Sequence, residues 1–159
     1  MVKNRSLAIS QALLGGVIAG VSLFSGVALL MPIGLAFLWS VHQRPSLSAL
    51  WGCVTVLVSH FWLLSLHPLD WIGIPLYLSL PISIFIWLVC GFIGCSLVWL
   101  WAWIGKKIKI HKSRDINLKE KFLYAFVLSS IWGLAEVALG QLPLFWIGVG
   151  ASTLPGDRW

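Results

Sequence analysis

The chain has 159 residues, of which 59% are hydrophobic and only 10% charged, with a mean hydropathy of +0.94. Soluble domains are about a quarter charged, and a small domain has too much surface for its volume to hide this much apolar material from water. The surrounding solvent is therefore largely lipid. The net charge of +6 would suggest nucleic acid in a soluble domain, but here orientation in a bilayer explains it better, and no nucleic-acid partner is expected.

Lys3 and Arg5 open the chain, and an uncharged stretch follows over residues 7–41. A secretory signal peptide begins in this way, but its apolar region is far shorter, so the segment reads as a signal anchor. As a helix the stretch would measure about 52 Å. That is too long for one upright span across about 30 Å of hydrocarbon and slightly short for two. Charge parity decides between them. Lys3 and Arg5 precede the stretch and His42 with Arg44 follows it. If both marks are cytoplasmic, the stretch crosses an even number of times. It is read as a hairpin of two spans, residues 7–25 and 27–41. Its bend falls near Ser25 and Gly26, where glycine permits a turn, and Pro32 is tolerated early in the second arm.

Residues 47–66 then cross outward. The loop from His67 to Gly73 carries no Lys or Arg, as expected outside. Residues 74–104 return as one long span, tilted or kinked at Pro75 and Pro81. The return is required because residues 105–121 hold Lys106, Lys107, Lys109, Lys112, Arg114, Lys119 and Lys121. That loop is cytoplasmic, and it offers a contact for anionic lipid. Residues 122–139 cross outward and leave residues 140–159 as an external tail. Ten of the eleven basic residues then lie inside and only Arg158 outside. The predicted fold class is all-α: a polytopic transmembrane helical bundle of about five spans, one domain with a cytoplasmic N-terminus and no internal repeat.

Eleven tryptophans mark the boundaries. Trp39, Trp51, Trp71, Trp99, Trp101, Trp103, Trp146 and Trp159 fall near predicted span ends, where the indole body lies in lipid and its N–H meets water. Trp62, Trp87 and Trp132 are deeper. Cys53, Cys90 and Cys95 all lie within apolar runs, so they read as packing residues and not as a disulfide framework. His60 and His67 are seven apart and would share a face if the helix ran through both. Without further ligands they make no metal site, so His60 reads as a polar helix contact and His67 as interfacial. No cofactor is expected.

Glu136 is the only acidic residue inside a predicted span. An intramembrane carboxylate is costly and is a functional candidate by default; the alternative is a Glu that reaches the outer headgroups. Trp132, Glu136 and Gly140 share one helical stripe, expected to face the bundle interior, with the glycine allowing close approach of a helix or lipid chain. Pro143 is expected to end the helix and leave Phe145 and Trp146 at the outer interface. No hydrolase elbow, phosphate loop or paired carboxylates occur, so the residues alone show no complete active site.

The run from Trp132 through Glu136, Gly140, Pro143 and Trp146 to the Gly/Ser-rich turn at Gly148, Gly150 and Ser152 resembles apolipoprotein N-acyltransferase. The likeness is greatest to the cyanobacterial form, in which Gln-x-Pro-Leu-Phe-Trp replaces Gly-Phe-Pro-Trp. Met31-Pro32, Trp51-Gly52 and Phe61-Trp62 also fit that family's membrane half. The resemblance implies transfer of an acyl chain from membrane phospholipid to a diacylglyceryl apolipoprotein, with Glu136, Trp132, Trp146 and Pro143 as substrate-binding residues. The sequence departs from the family where Ala138 and Leu139 replace an arginine common after the glutamate. The family's catalytic Glu, Lys and Cys belong to a nitrilase-like domain that cannot be placed in these residues, so no catalytic residue is assigned. A truncated or split enzyme, inactive alone and partnered by a separately encoded nitrilase-like domain, is the leading expectation. The rivals are a non-enzymatic small membrane protein and a dimerising transporter half.

Overall fold

The first uncharged stretch folds back on itself at Gly26, whose φ of 71° is a left-handed conformation that a residue with a Cβ rarely adopts. Ser22 Oγ donates to the Val27 carbonyl at 2.9 Å and ties the bend across its own turn. The computed structural model describes residues 2–108, 118–141 and 148–149, and the regular structure among them is entirely helical. The bend separates α1 (Val2–Ser25) from α2 (Leu30–Val41), and Pro32 sits in the first turn of α2, where its missing N–H has no helical partner to lose. Then come α3 (Pro45–Ser59), the short 3-10 turns Phe61–Leu66 and Asp70–Ile72, α4 (Leu76–Ile108) and α5 (Leu118–Gly140).

Helices α1, α4 and α5 are long and apolar enough to cross a membrane, whereas α2 and α3 are shorter apolar helices, about 18 and 22 Å long. Helix α4 continues through Pro81, and Pro75 lies just before its start.

Within residues 47–66 the α-helix is not continuous: α3 stops at Ser59 and a 3-10 turn follows. The His60 N–H reaches the Val56 carbonyl at 2.9 Å, Leu63 N–H bonds to the His60 carbonyl, and the chain tightens into a 3-10 turn. His60 and His67 therefore do not share a helix face. His60 is buried, with Nδ1 2.9 Å from Ser59 Oγ. His67 Nδ1 lies 2.8 Å from Ser79 Oγ on α4, and the same hydroxyl accepts the Leu69 N–H.

Lipid tails are as apolar as leucine, so close packing and hydrogen bonds must hold such helices together. The bundle uses both. A Cβ at Gly16 would lie 2.8 Å from the Trp51 carbonyl, one at Gly34 would lie 2.8 Å from the Ala19 Cβ, and one at Gly52 would lie 2.6 Å from the Gly94 carbonyl. Helices α1 with α2, α1 with α3, and α3 with α4 thus meet nearly backbone to backbone. Trp51 is fully buried, and its Nε1 donates to the Gly34 carbonyl at 3.1 Å. This corrects its assignment to a span boundary, because the seventh residue of a short helix lies at its middle. Trp87 Nε1 donates to the Leu57 carbonyl at 2.8 Å, so a second indole cross-links α4 to α3.

One end of the bundle collects positive charge. Leu7 of α1 and Arg44 line the same cleft, while Tyr124 of α5 donates to the Gly105 carbonyl, beside Lys106 and Lys107, at 3.1 Å. Gln43 approaches the same Tyr124 hydroxyl at 3.5 Å. Trp39 stacks on His42 with centroids 4.6 Å apart and meets Tyr124 edge-on. The His67–Ser79 contact lies at the opposite end of α4.

Candidate functional site around Glu136

Helix α5 is the least covered helix of the bundle. Leu128 is its only buried residue among those described, and Phe122, Phe126, Leu134 and Val137 all project outward. It is fastened to α4 by Trp101, which is buried and donates its Nε1–H to the Leu128 carbonyl at 2.9 Å. One helical turn further on, Trp132 meets the Trp101 ring at 5.5 Å with an interplanar angle of 87°, the edge-to-face geometry that aromatic quadrupoles favour.

Trp132 and Glu136 are one turn apart and lie on the same face of α5. The Trp132 Nε1–H donates to Glu136 Oε1 at 2.8 Å, and the same oxygen accepts the backbone N–H of Val149 at 2.8 Å. Glu136 is thirteen residues before Val149, so the chain beyond α5 has turned back to the level of this carboxylate. A Cβ on Gly148 would lie 2.8 Å from Glu136 Oε2, so this backbone approaches a place where a side chain would not fit. Val149 packs against the main core cluster of the bundle and so ties the carboxylate of α5 to the body of the protein. Glu136 lies about 22 Å along the helix axis from Lys121. The backbone N–H of Val149 is satisfied by protein, through Glu136.

The predicted site residues divide as follows. Trp132 and Glu136 come together, and Glu136 has protein donors, as expected of a residue turned away from lipid. Gly140 does not join them: it is exposed, and among the described residues nothing lies within 4 Å of its Cβ position. Pro143 and Trp146 lie outside the described residues. Trp101, Gly148 and Val149 were not foreseen as members of the site. The glycines at 148 and 150 signalled a turn, but nothing local in sequence pairs a backbone N–H with a side chain thirteen residues earlier. The three cysteines lie on α3 and α4, with Cys90 buried and Cys53 and Cys95 half-buried. Among the described residues no cluster of His, Cys, Asp and Glu could hold a metal ion.

The long apolar helices define a membrane protein, an all-α helical bundle. Comparison with known proteins narrows this further. The chain is 50% identical over 158 residues to an apolipoprotein N-acyltransferase of Prochlorococcus marinus, covering 99% of this chain and 32% of that protein. A second Prochlorococcus marinus protein of the same name is 44% identical over 99% of this chain, and one from Parasynechococcus marenigrum is 46% identical over 97%. The chain spans about a third of the length of each of these relatives. It is a homologue of the apolipoprotein N-acyltransferases and corresponds to an N-terminal membrane part of such a protein. No protein-family model and no solved structure matches it.

Proposed function

We propose that these residues form the membrane platform of a phospholipid-to-apolipoprotein N-acyltransferase in a bacterial plasma (inner) membrane. The observation that carries this reading is the similarity at 44–50% identity along 99% of the chain to proteins bearing that name. In this reading the platform holds lipid substrate near the Trp132–Glu136 pair, with Pro143 and Trp146 beside the entry. A nitrilase-like domain supplies the nucleophile, the acyl-enzyme step and transfer to a diacylglyceryl apolipoprotein. The contribution of the described residues is positional. Glu136 holds Trp132 and the returning backbone at Val149 in one arrangement, and the exposed outer part of α5 leaves an apolar surface beside them for acyl chains.

The activity test uses the 159-residue chain purified in lipid. Alone it is expected to transfer no acyl group to a diacylglyceryl-cysteine peptide and to form no hydroxylamine-sensitive adduct, since its cysteines lie within helices and have no exposed thiolate to activate. Fused to the nitrilase-like part of a relative, it is expected to support transfer. Turnover by the chain alone, abolished by substitution of Cys53, Cys90 or Cys95, would contradict the proposal.

The proposed topology has five crossings, with the basic end of the bundle in the cytoplasm. Its support is that α1's start, Arg44, Lys106 and Tyr124 gather at one end while His67 and Ser79 meet at the other. Reporter fusions after Arg44 and at Lys112 should then read cytoplasmic, and those at Asp70 and Trp159 external. The same side for Asp70 and Lys112 would defeat it.

A further inference from the structure

The basic end of the bundle contains a cleft remote from Glu136. It has a volume of about 360 Å³ and is lined by Leu7, Ala8 and Gln11 of α1, with Val41, Gln43 and Arg44 at the corner between α2 and α3. Each side of it carries both apolar and polar groups. Ala8 and Val41 are buried and apolar, and Leu7 continues the apolar lining outward at 60% exposure. Beside these apolar residues, on both sides of the cleft, are an exposed guanidinium and two half-buried amides. Gln43 is engaged with His42 and Tyr124. Among the described residues, neither the Arg44 guanidinium nor the Gln11 amide has a hydrogen-bond or ion-pair partner. The surrounding charge has one dominant sign: Arg5, Lys106, Lys107, Lys119 and Lys121 belong to this end, with Glu120 the only acid among the described residues there.

We propose that this cleft binds the headgroup of an anionic phospholipid: Arg44 takes the phosphate, the Gln11 amide takes an ester carbonyl, and Leu7, Ala8 and Val41 lie along the first methylenes of an acyl chain. Three features select this occupant. The free guanidinium presents a fork of N–H donors matched to phosphate oxygens. Gln11 lies one turn deeper along α1 than Leu7, on the membrane side of Arg44, where the glycerol esters of a lipid follow its phosphate. The apolar residues Leu7, Ala8 and Val41 then have a partner, which a soluble anion would leave in water. The excess positive charge at this end raises the local concentration of anionic lipid over zwitterionic lipid. The cleft is at the end of the bundle opposite His67 and Ser79 and does not depend on acyl transfer.

The test uses the full 159-residue chain in detergent, loaded with phosphatidylglycerol or phosphatidylcholine and read by native mass spectrometry during graded collisional delipidation. One phosphatidylglycerol should be retained after the others are lost, and phosphatidylcholine should not be. Arg44→Gln should lower that retention about tenfold, the factor lost with one strong charge-assisted contact. Gln11→Leu, which keeps the volume and the helix, should weaken it less. Lys106→Gln with Lys107→Gln, at the same end but outside the cleft, should leave it near wild type. Excess inorganic phosphate should not displace the lipid. Equal losses in the Arg44 and Lys106/Lys107 variants would show only diffuse surface charge. Displacement by inorganic phosphate would show a soluble-anion site. Equal retention of phosphatidylcholine would remove the headgroup from the argument. Each of these three results overturns the proposal.

Discussion

Replacing Glu136 with alanine is expected to free the chain at Gly148 and Val149 from α5, while Glu136→Gln is expected to hold it. The alanine removes the acceptor of both the Trp132 indole N–H and the Val149 backbone N–H. Both donors are part-buried, and such a donor left without a partner costs about 1–3 kcal/mol where water does not replace it. The two donors together are expected to cost about 2–6 kcal/mol of local stability. Glutamine retains a carbonyl oxygen that can accept both bonds. Hydrogen exchange at Val149 in lipid nanodiscs, together with the emission of Trp132, measures the difference. Rapid exchange in the alanine variant and slow exchange in the glutamine variant is the expected result. Unchanged protection in both would mean that the bonds to Glu136 do not hold the segment. In the fused enzyme the same pair separates two roles. If Glu136→Gln keeps Val149 protected and acyl transfer normal, the carboxylate works as an acceptor. If transfer falls while protection stays, its charge serves the lipid substrate.

Gly52→Val is expected to be the most damaging single change in the body of the bundle. The new Cβ would stand 2.6 Å from the Gly94 carbonyl, and the reciprocal Cβ at Gly94 would stand 2.9 Å from the Gly52 carbonyl. Neither obstacle is a side-chain tip that can rotate away, so α3 and α4 must separate. Overpacking of this kind costs about 1–3 kcal/mol and sometimes more, and separation also strains the packing around buried Trp51 and Val98. A loss of at least about 3 kcal/mol is expected by that comparison, read as a shift in the SDS unfolding midpoint. Gly133→Ala is the control. Nothing described lies within 4 Å of its Cβ position, and alanine is the better helix former by about 1 kcal/mol. Wild-type stability in Gly52→Val would show that α3 and α4 are not in close contact.

The sequence was most informative where a residue type allows few conformations. The hairpin bend at Gly26 and the tolerated Pro32 were legible because glycine and proline restrict the backbone directly. The long α4 was legible as an unbroken apolar run ending at Lys106 and Lys107. The early end of α3 was not: residues 60–66 are mostly apolar, and the change of helix type shows in the i→i−3 bond from the Leu63 N–H to the His60 carbonyl. Trp51 misled for a related reason. Aromatic enrichment at interfaces is a statement about populations, and this indole found a carbonyl on another helix at Gly34. At the site, the pairing of Trp132 with Glu136 followed from helical periodicity, whereas Trp101 and Val149 came from tertiary contacts that no local pattern encodes.

The attachment of α5 has a thermodynamic consequence. Among the described residues, the first half of α5 is anchored on α4 by Leu128 and Tyr124, while beyond Trp132 Glu136 ties the helix to the backbone at Val149. A hydrogen bond of this kind contributes about 1.5 kcal/mol net. At that strength the released state would hold on the order of several per cent of the molecules at 25 °C. The outer half of α5 is therefore a minority-state opening, separable from global unfolding. Its exchange kinetics should respond to changes at Glu136 and Gly148, and hardly at all to changes in the contacts of α1 with α3.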